Sequence, residues 1–326
     1  MALRSSYHFP QELIFEILSY LPVKSLLRFC SVCKSWLSII SDQQFIDTHL
    51  TNSQKKPATL VLDNDFDNVY VDTREESVRL HVPPQRNGRA RWMCSCNGIV
   101  CLTEQYGNVM YLWNPWTNHQ LSKLCSPKGR GDWDESAFMF VYDSTCNDYK
   151  LLRLTFCVLH TYYYPPDRDY IANGLVADLY SSKNGNFKEI NVPDNVKNIE
   201  VRTNSKCFHD LKTGVLYFEG SAAMVFEAVD GSVLSLWTLD DVCDDKVAWT
   251  KKFNIEADVK INCVFLHLGV GQFVAKNDDG HIFYDYKKKD VKKLLSPAPV
   301  GQFNSVVKYT ESLVSLEVFQ GFELLT

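Results

Sequence analysis

Phe9-Pro10-Gln11-Glu12-Leu13-Ile14-Phe15-Glu16-Ile17-Leu18-Ser19-Tyr20-Leu21-Pro22 is the stretch from which the fold is read. Leu13, Ile17 and Leu21 recur every four residues, and Ile14 and Leu18 widen the same stripe. That spacing is the signature of an amphipathic helix. Pro10 suits a first turn, where a missing N–H costs nothing, and Glu12 lies near the positive end of the helix dipole. Pro22 stops the helix. A second short helix follows on Leu26, Leu27 and Phe29. Ser31 is a candidate N-cap for a third, carrying Trp36, Ile39 and Ile40.

Beyond Lys55-Lys56-Pro57 the period changes. From Thr59 onward, short apolar or alternating runs are separated by Asn, Asp, Gly and Pro, which reads as strands and turns. Gly107 to Trp113, Gly174 to Tyr180, Gly231 to Trp237 and Gly280 to Tyr286 each place a glycine six residues before an aromatic, and Gly220 to Phe226 makes a fifth. Radially repeated blades use roughly 40–50 residues each. The expectation is an α+β chain with segregated domains. It has a three-helix domain at 1–50, a linker at 51–58, and an all-β propeller-like domain of about six blades at 59–326. The strand near Val314 to Leu316 is expected to close a blade begun at Thr59 to Leu62. A pair of β-sandwiches is the alternative.

The composition sets bounds. A chain of 326 residues with 45% hydrophobic and 13% aromatic content can bury a sizeable core. A net charge of −5 gives no footprint for nucleic acid or an anionic membrane. Arg4 to Gln11 is too polar for a signal peptide. The run from Ile261 to Ala275 is broken by Asn262, His267 and Gln272, and is too short to span a bilayer. The expected location is cytoplasm, nucleus or both. Eleven cysteines, an odd number, argue against a full disulfide framework. Cys30/Cys33 and Cys94/Cys96 lack a second ligand pair at zinc spacing, so no metal and no cofactor is expected.

Some fifty residues of short helices cannot bury all of this apolar stripe among themselves. The surplus must pack on the β domain or on another protein. The run from Phe9 through Leu21-Pro22 and Leu26 continues to Val32-Cys33-Lys34-Ser35-Trp36, and it resembles the F-box motif. The departure is Phe9, where that family more often has Leu. The β half resembles the associated domain of plant F-box proteins, of the S-locus F-box-like kind. The carriers are Ser95-Cys96-Asn97-Gly98-Ile99-Val100-Cys101-Leu102, Leu112-Trp113-Asn114-Pro115, Val141-Tyr142-Asp143, Asn147-Asp148-Tyr149-Lys150, Leu236-Trp237, and Tyr309 followed by Ser312-Leu313-Val314-Ser315-Leu316.

The resemblance implies a non-enzymatic adaptor. The F-box would bind the Skp-type linker of a cullin–RING ubiquitin ligase, and the β domain would hold a protein substrate near the ubiquitin-charged enzyme. The linker contacts implied are Phe9, Pro10, Leu13, Ile14, Ile17, Leu21, Pro22, Leu26, Val32, Cys33 and Trp36; Trp36 above all could instead only hold the helices together. For the substrate, the aromatic loop with Tyr162, Tyr163, Tyr164, Arg168 and Tyr170 carries residue types that anchor interfaces, stiffened by Pro165-Pro166; consecutive tyrosines equally suit a strand end packed over a core. Arg130 and Trp133 form a second candidate. The reading from another class is a stand-alone propeller hydrolase or glycan-binding protein. Asp132, Asp134 and Asp167 could line such a pocket, but scattered surface carboxylates are expected without one. Asp63 to Asp67 begins like a calcium loop, but Asn68 and Arg74 occupy its glycine and closing-glutamate positions.

Overall fold

The computed structural model describes residues 9–56, 58–63, 68–72, 77–82, 90–104, 109–117, 119–124, 135–158, 170–192, 200–203, 214–219, 221–227, 234–240, 248–255, 261, 263–269, 271–277, 280–293 and 303–324. Helices come first: α1 (Gln11–Leu18), α2 (Val23–Phe29), α3 (Lys34–Ile40) and α4 (Gln43–Ser53). Pro10 and Pro22 stand immediately before α1 and α2. Leu18, Val23, Leu26, Ile40 and Phe45 are buried between the helices. Phe15 meets the Phe45 ring edge-on at 5.1 Å, and Phe29 meets Trp36 at 5.1 Å. None of the described helices is long and apolar enough to cross a membrane.

Beyond the helices, the described strands all pair antiparallel. The first sheet holds β1 (Ala58–Asp63), β2 (Asn68–Asp72) and β3 (Ser77–His81). The second holds β4 (Ala90–Cys96), β5 (Ile99–Glu104), β6 (Val109–Asn114) and β7 (His119–Leu124). The third holds β8 (Glu135–Asp143), β9 (Asp148–Val158), β10 (Tyr170–Ser181) and β11 (Phe187–Ile190), with β12 (Glu200–Thr203) along the first half of β10. The fourth is β13 (Gly214–Phe218), β14 (Ser221–Glu227), β15 (Leu234–Asp240) and β16 (Ala248–Ile255). The fifth is β17 (Cys263–Gly269), β18 (Gln272–Asn277), β19 (Gly280–Asp285) and β20 (Asp290–Lys293). Then β21 (Phe303–Tyr309) returns to pair with β1, and the short β22 (Glu323–Leu324) pairs with β7.

The leading strands close a ring. Strand β21 packs on β4, β4 on β8, β8 on β13, β13 on β17, and β17 again on β21. Each sheet is therefore a blade, covered on both faces by its neighbours. That is why β6 is buried along its whole length and reads as Val-Met-Tyr-Leu-Trp-Asn rather than as an alternation. The outer strand β16 meets solvent along most of its length.

Four expectations are corrected. The propeller has five blades, not about six, because more chain goes into some elements than 40–50 residues per blade allows. Strands β8, β9 and β10 run 9, 11 and 12 residues, and the stretch after Tyr309 is mostly not strand. Among the described residues there are four α-helices, not three. Helix α4 carries few apolar residues, but Asp42 caps it: its carboxylate accepts from the Gln44 and Phe45 amides at 2.9 and 3.3 Å. Ser31 does not cap α3. Its hydroxyl donates to the Arg28 carbonyl, and Cys33 holds the cap position. The closing strand is β21, whereas Leu316–Val318 forms a 3-10 turn. Trp113, Tyr180, Trp237 and Tyr286 lie in or just after the third strands of four blades, though not at one register.

Candidate functional site

The helices leave an apolar surface uncovered. Phe9 is 66% exposed, Val32 61%, Ile17 53% and Leu13 41%. Pro10, Pro22 and Cys33 are exposed as well. The remaining sequence-derived residues divide differently. Leu26 is fully buried, and Ile14, Leu21 and Trp36 are half-buried against the helical core. They support the face rather than form it. Tyr20, Leu27 and Leu37 are exposed members that sequence reasoning missed. The available signal was spacing: Tyr20 follows Ile17 by three positions, on the flank of the Leu13–Ile17 stripe. An uncovered apolar set of this size on a small helical unit is a candidate interaction surface.

The helices sit at the end of the propeller where the inner strands finish. Gln54 Nε2 donates to Asn97 Oδ1, just past β4, at 3.3 Å. Trp116, just past β6, and Leu313, beyond β21, pack into the helical core. Asn97 (φ 50°) and Gly98 (φ 81°) make the two-residue turn between β4 and β5, a conformation that an Asn-Gly pair adopts readily. Burial pushes the Cys96 and Tyr149 side chains well above their ordinary pKa values, so both stay protonated at neutral pH.

The blades also have an opposite end, away from the helices. Glu135, at the start of β8, pairs with Phe156 near the end of β9, whereas Asp143 pairs with Asp148 at the helical end. The nine residues of β8 separate these ends by about 26 Å at roughly 3.3 Å per residue. The segments carrying Arg130 and Trp133, and Tyr162, Tyr163, Tyr164 and Arg168, lie outside the described residues. The described strands that bracket them, β7/β8 and β9/β10, converge at the end away from the helices. Tyr170 opens β10, its backbone in register with Thr203. Elsewhere, Lys287, Lys288 and Lys289 form the exposed turn between β19 and β20.

Comparison with known families places this geometry. Residues 7–48 match the F-box domain, and residues 52–223, just over half of the chain, match the F-box associated beta propeller domain. The second match ends within β14, and the strands that follow complete the ring. Among curated Arabidopsis thaliana proteins, F-box protein At3g07870 is 29% identical over 45% of this chain and 37% of its own length. F-box/kelch-repeat protein At3g23880 is 31% identical over 46% of each. F-box protein At3g17710 is 27% identical over 58% of this chain and 50% of its own. The chain thus spans half or less of the curated relatives it matches. With helices that expose an apolar face, a five-bladed ring behind them and both family patterns in sequence order, the chain belongs to the F-box proteins that carry an F-box associated beta propeller domain.

Proposed function

We propose that this chain is the substrate-recognition adaptor of an SCF-type cullin–RING ubiquitin ligase. The helices dock on a Skp-type linker subunit and, through it, reach the cullin and RING subunits. The propeller holds a protein substrate at its far end, and the chain itself makes and breaks no bond. The observation that carries this reading is the exposure of Phe9, Leu13, Ile17 and Val32 on helices already packed against a propeller. Large apolar side chains left in water beside a folded neighbour are what a further protein partner would cover. Separation of the two ends suits an adaptor, because ligase and substrate occupy different faces and the gain is effective concentration.

The test follows exposure rather than motif. Leu21 is half-buried in the helical core, so replacing it would mix folding with binding. The better variant is Ile17→Ala with Val32→Ala, since both side chains are largely exposed. It is expected to keep the melting temperature of the full chain and to weaken binding of a recombinant Skp-type subunit by at least tenfold, about 1.4 kcal/mol or more. Undiminished binding by a folded double variant removes the linker contact from this face. For the substrate end, Tyr162→Ala, Tyr163→Ala and Arg168→Ala together are expected to change the co-purified proteins while linker binding holds.

A further inference from the structure

The stretch after β21 carries the inference. It leaves the first blade, passes under the second and ends between the second and third. On the way it is tied down at almost every step. Ser312 Oγ donates to the Asn97 carbonyl at 2.7 Å and accepts from the Val314 amide at 3.0 Å. The buried Asn114 amide donates to the carbonyls of Ser312 and Val314, both at 3.1 Å. Phe319 packs on Phe140 and Tyr149, and the Tyr180 hydroxyl donates to the Gln320 carbonyl at 2.7 Å. Strand β22 then joins β7.

The same stretch reaches the helices with two side chains. Leu313, 9% exposed, is a member of the helical core beside Leu26 and Phe45. The Glu311 carboxylate accepts from the Val23 amide at 3.4 Å. Val23 is the first residue of α2, behind Pro22, so its N–H has no partner within the helix. A side chain from the propeller's closing segment thus satisfies a donor that the helix itself leaves open, while its neighbour fills the helical core.

We infer that residues 310–322 are a clasp that fixes the helical module to the underside of the propeller as one rigid body, with Glu311 and Leu313 as its positioning residues. The clasp then sets the direction of the exposed helical face relative to the far end of the propeller. Its bearing on ubiquitin transfer rests on the adaptor reading. The docking of helices on propeller does not, and the test reads only the docking.

Two measurements on the full chain decide it. In the unaltered protein, residue-resolved amide exchange should find Val23 protected to the same degree as the amides of β4, although a first-turn amide is ordinarily free to exchange. Fast exchange at Val23 overturns the clasp without any variant. The second measurement compares Glu311→Gln with Leu313→Ala, singly and combined, against Leu313→Met as the conservative control. The combined variant should keep the propeller's melting transition and the helical circular dichroism. Tryptic cleavage after Lys55, between the two units, should become at least ~tenfold faster, and small-angle scattering should show a larger radius of gyration. The Leu313→Met chain should behave as the original. Unchanged cleavage and scattering in a folded combined variant would assign the docking to α4 and Asn97 instead. Failure of linker binding with an intact clasp would strike only the adaptor reading.

Discussion

Gly98 shows how much one position can settle. It turns the chain between β4 and β5 at φ 81°, and a Cβ there would lie 2.6 Å from Ser312 Cβ and 2.7 Å from the Thr310 carbonyl oxygen. Both the backbone conformation and the close approach exclude a side chain. Gly98→Ala is expected to cost about 2 kcal/mol or more, read as a drop in the denaturant midpoint of the propeller. A change within ~0.5 kcal/mol would mean the approach relaxes freely. His49 sets a second expectation. It is buried in α4, stacks on Phe45, and its Nε2 lies 2.9 Å from the Leu21 carbonyl oxygen. Burial lowers its pKa from 6.5, with the Leu21 contact opposing. The folded chain therefore binds this proton less readily than the unfolded chain, so the contribution of neutral His49 is present above about pH 6.5 and is lost as pH falls through the folded value. His267, in the propeller, shifts the same way, so the comparison must isolate one ring. Amide protection in α4 should fall between pH 7 and 5, and His49→Gln should flatten that slope. Equal slopes would absolve His49.

Helix α4 is where sequence reading met its limit at the scale of elements. The first three helices announce themselves through apolar spacing and prolines. Along Gln43–Ser53 the fully buried positions are Phe45 and His49, one of them polar by type, so periodicity is weak. The Asp42 cap and the stacking of those two rings help to hold α4, and a hydrophobic pattern reports neither. Asp42→Ala should therefore destabilise the helical module by about 1 kcal/mol, visible as faster exchange at the Gln44 and Phe45 amides before any change in the propeller. The candidate docking face was legible to a similar degree. Leu13 and Ile17, read as part of a surplus stripe, are exposed, but Leu26 shares the same apolar character and is fully buried. Spacing tells which residues share a face; only packing tells which of them another helix has already covered.

At the scale of the molecule, the ring was legible and its count was not. Strands buried on both faces read as short apolar runs between turn residues, and several glycine–aromatic segments fall on third strands, so the repeat was visible. The number of blades depends on strand length and on chain spent outside strands, and neither shows in a turn pattern. Closure was expected from Val314 to Leu316 because those residues look like a strand. The strand that closes is β21, paired with β1 from Ala58 to Asp63. The apolar run that follows serves instead to hold blades and helices together. This separates two roles that truncation can tell apart. A chain ending at Tyr309 keeps β21 and loses the clasp and β22. It should remain monomeric with a ring that unfolds cooperatively, at a lower denaturant midpoint. A chain ending at 302 loses β21 too. That uncovers the edge of β1 and the buried Leu60, Val61 and Leu62, all at 0% exposure in the closed ring. An exposed, apolar edge strand invites pairing between chains. Size-exclusion chromatography of the 1–302 chain should therefore show soluble aggregate in place of monomer, and a synthetic peptide spanning 300–310, added in excess during refolding, should restore part of the monomer. A monomeric 1–302 chain with an unchanged unfolding transition would mean that β1 does not need this partner, and that the ring is closed by contacts between the other blades.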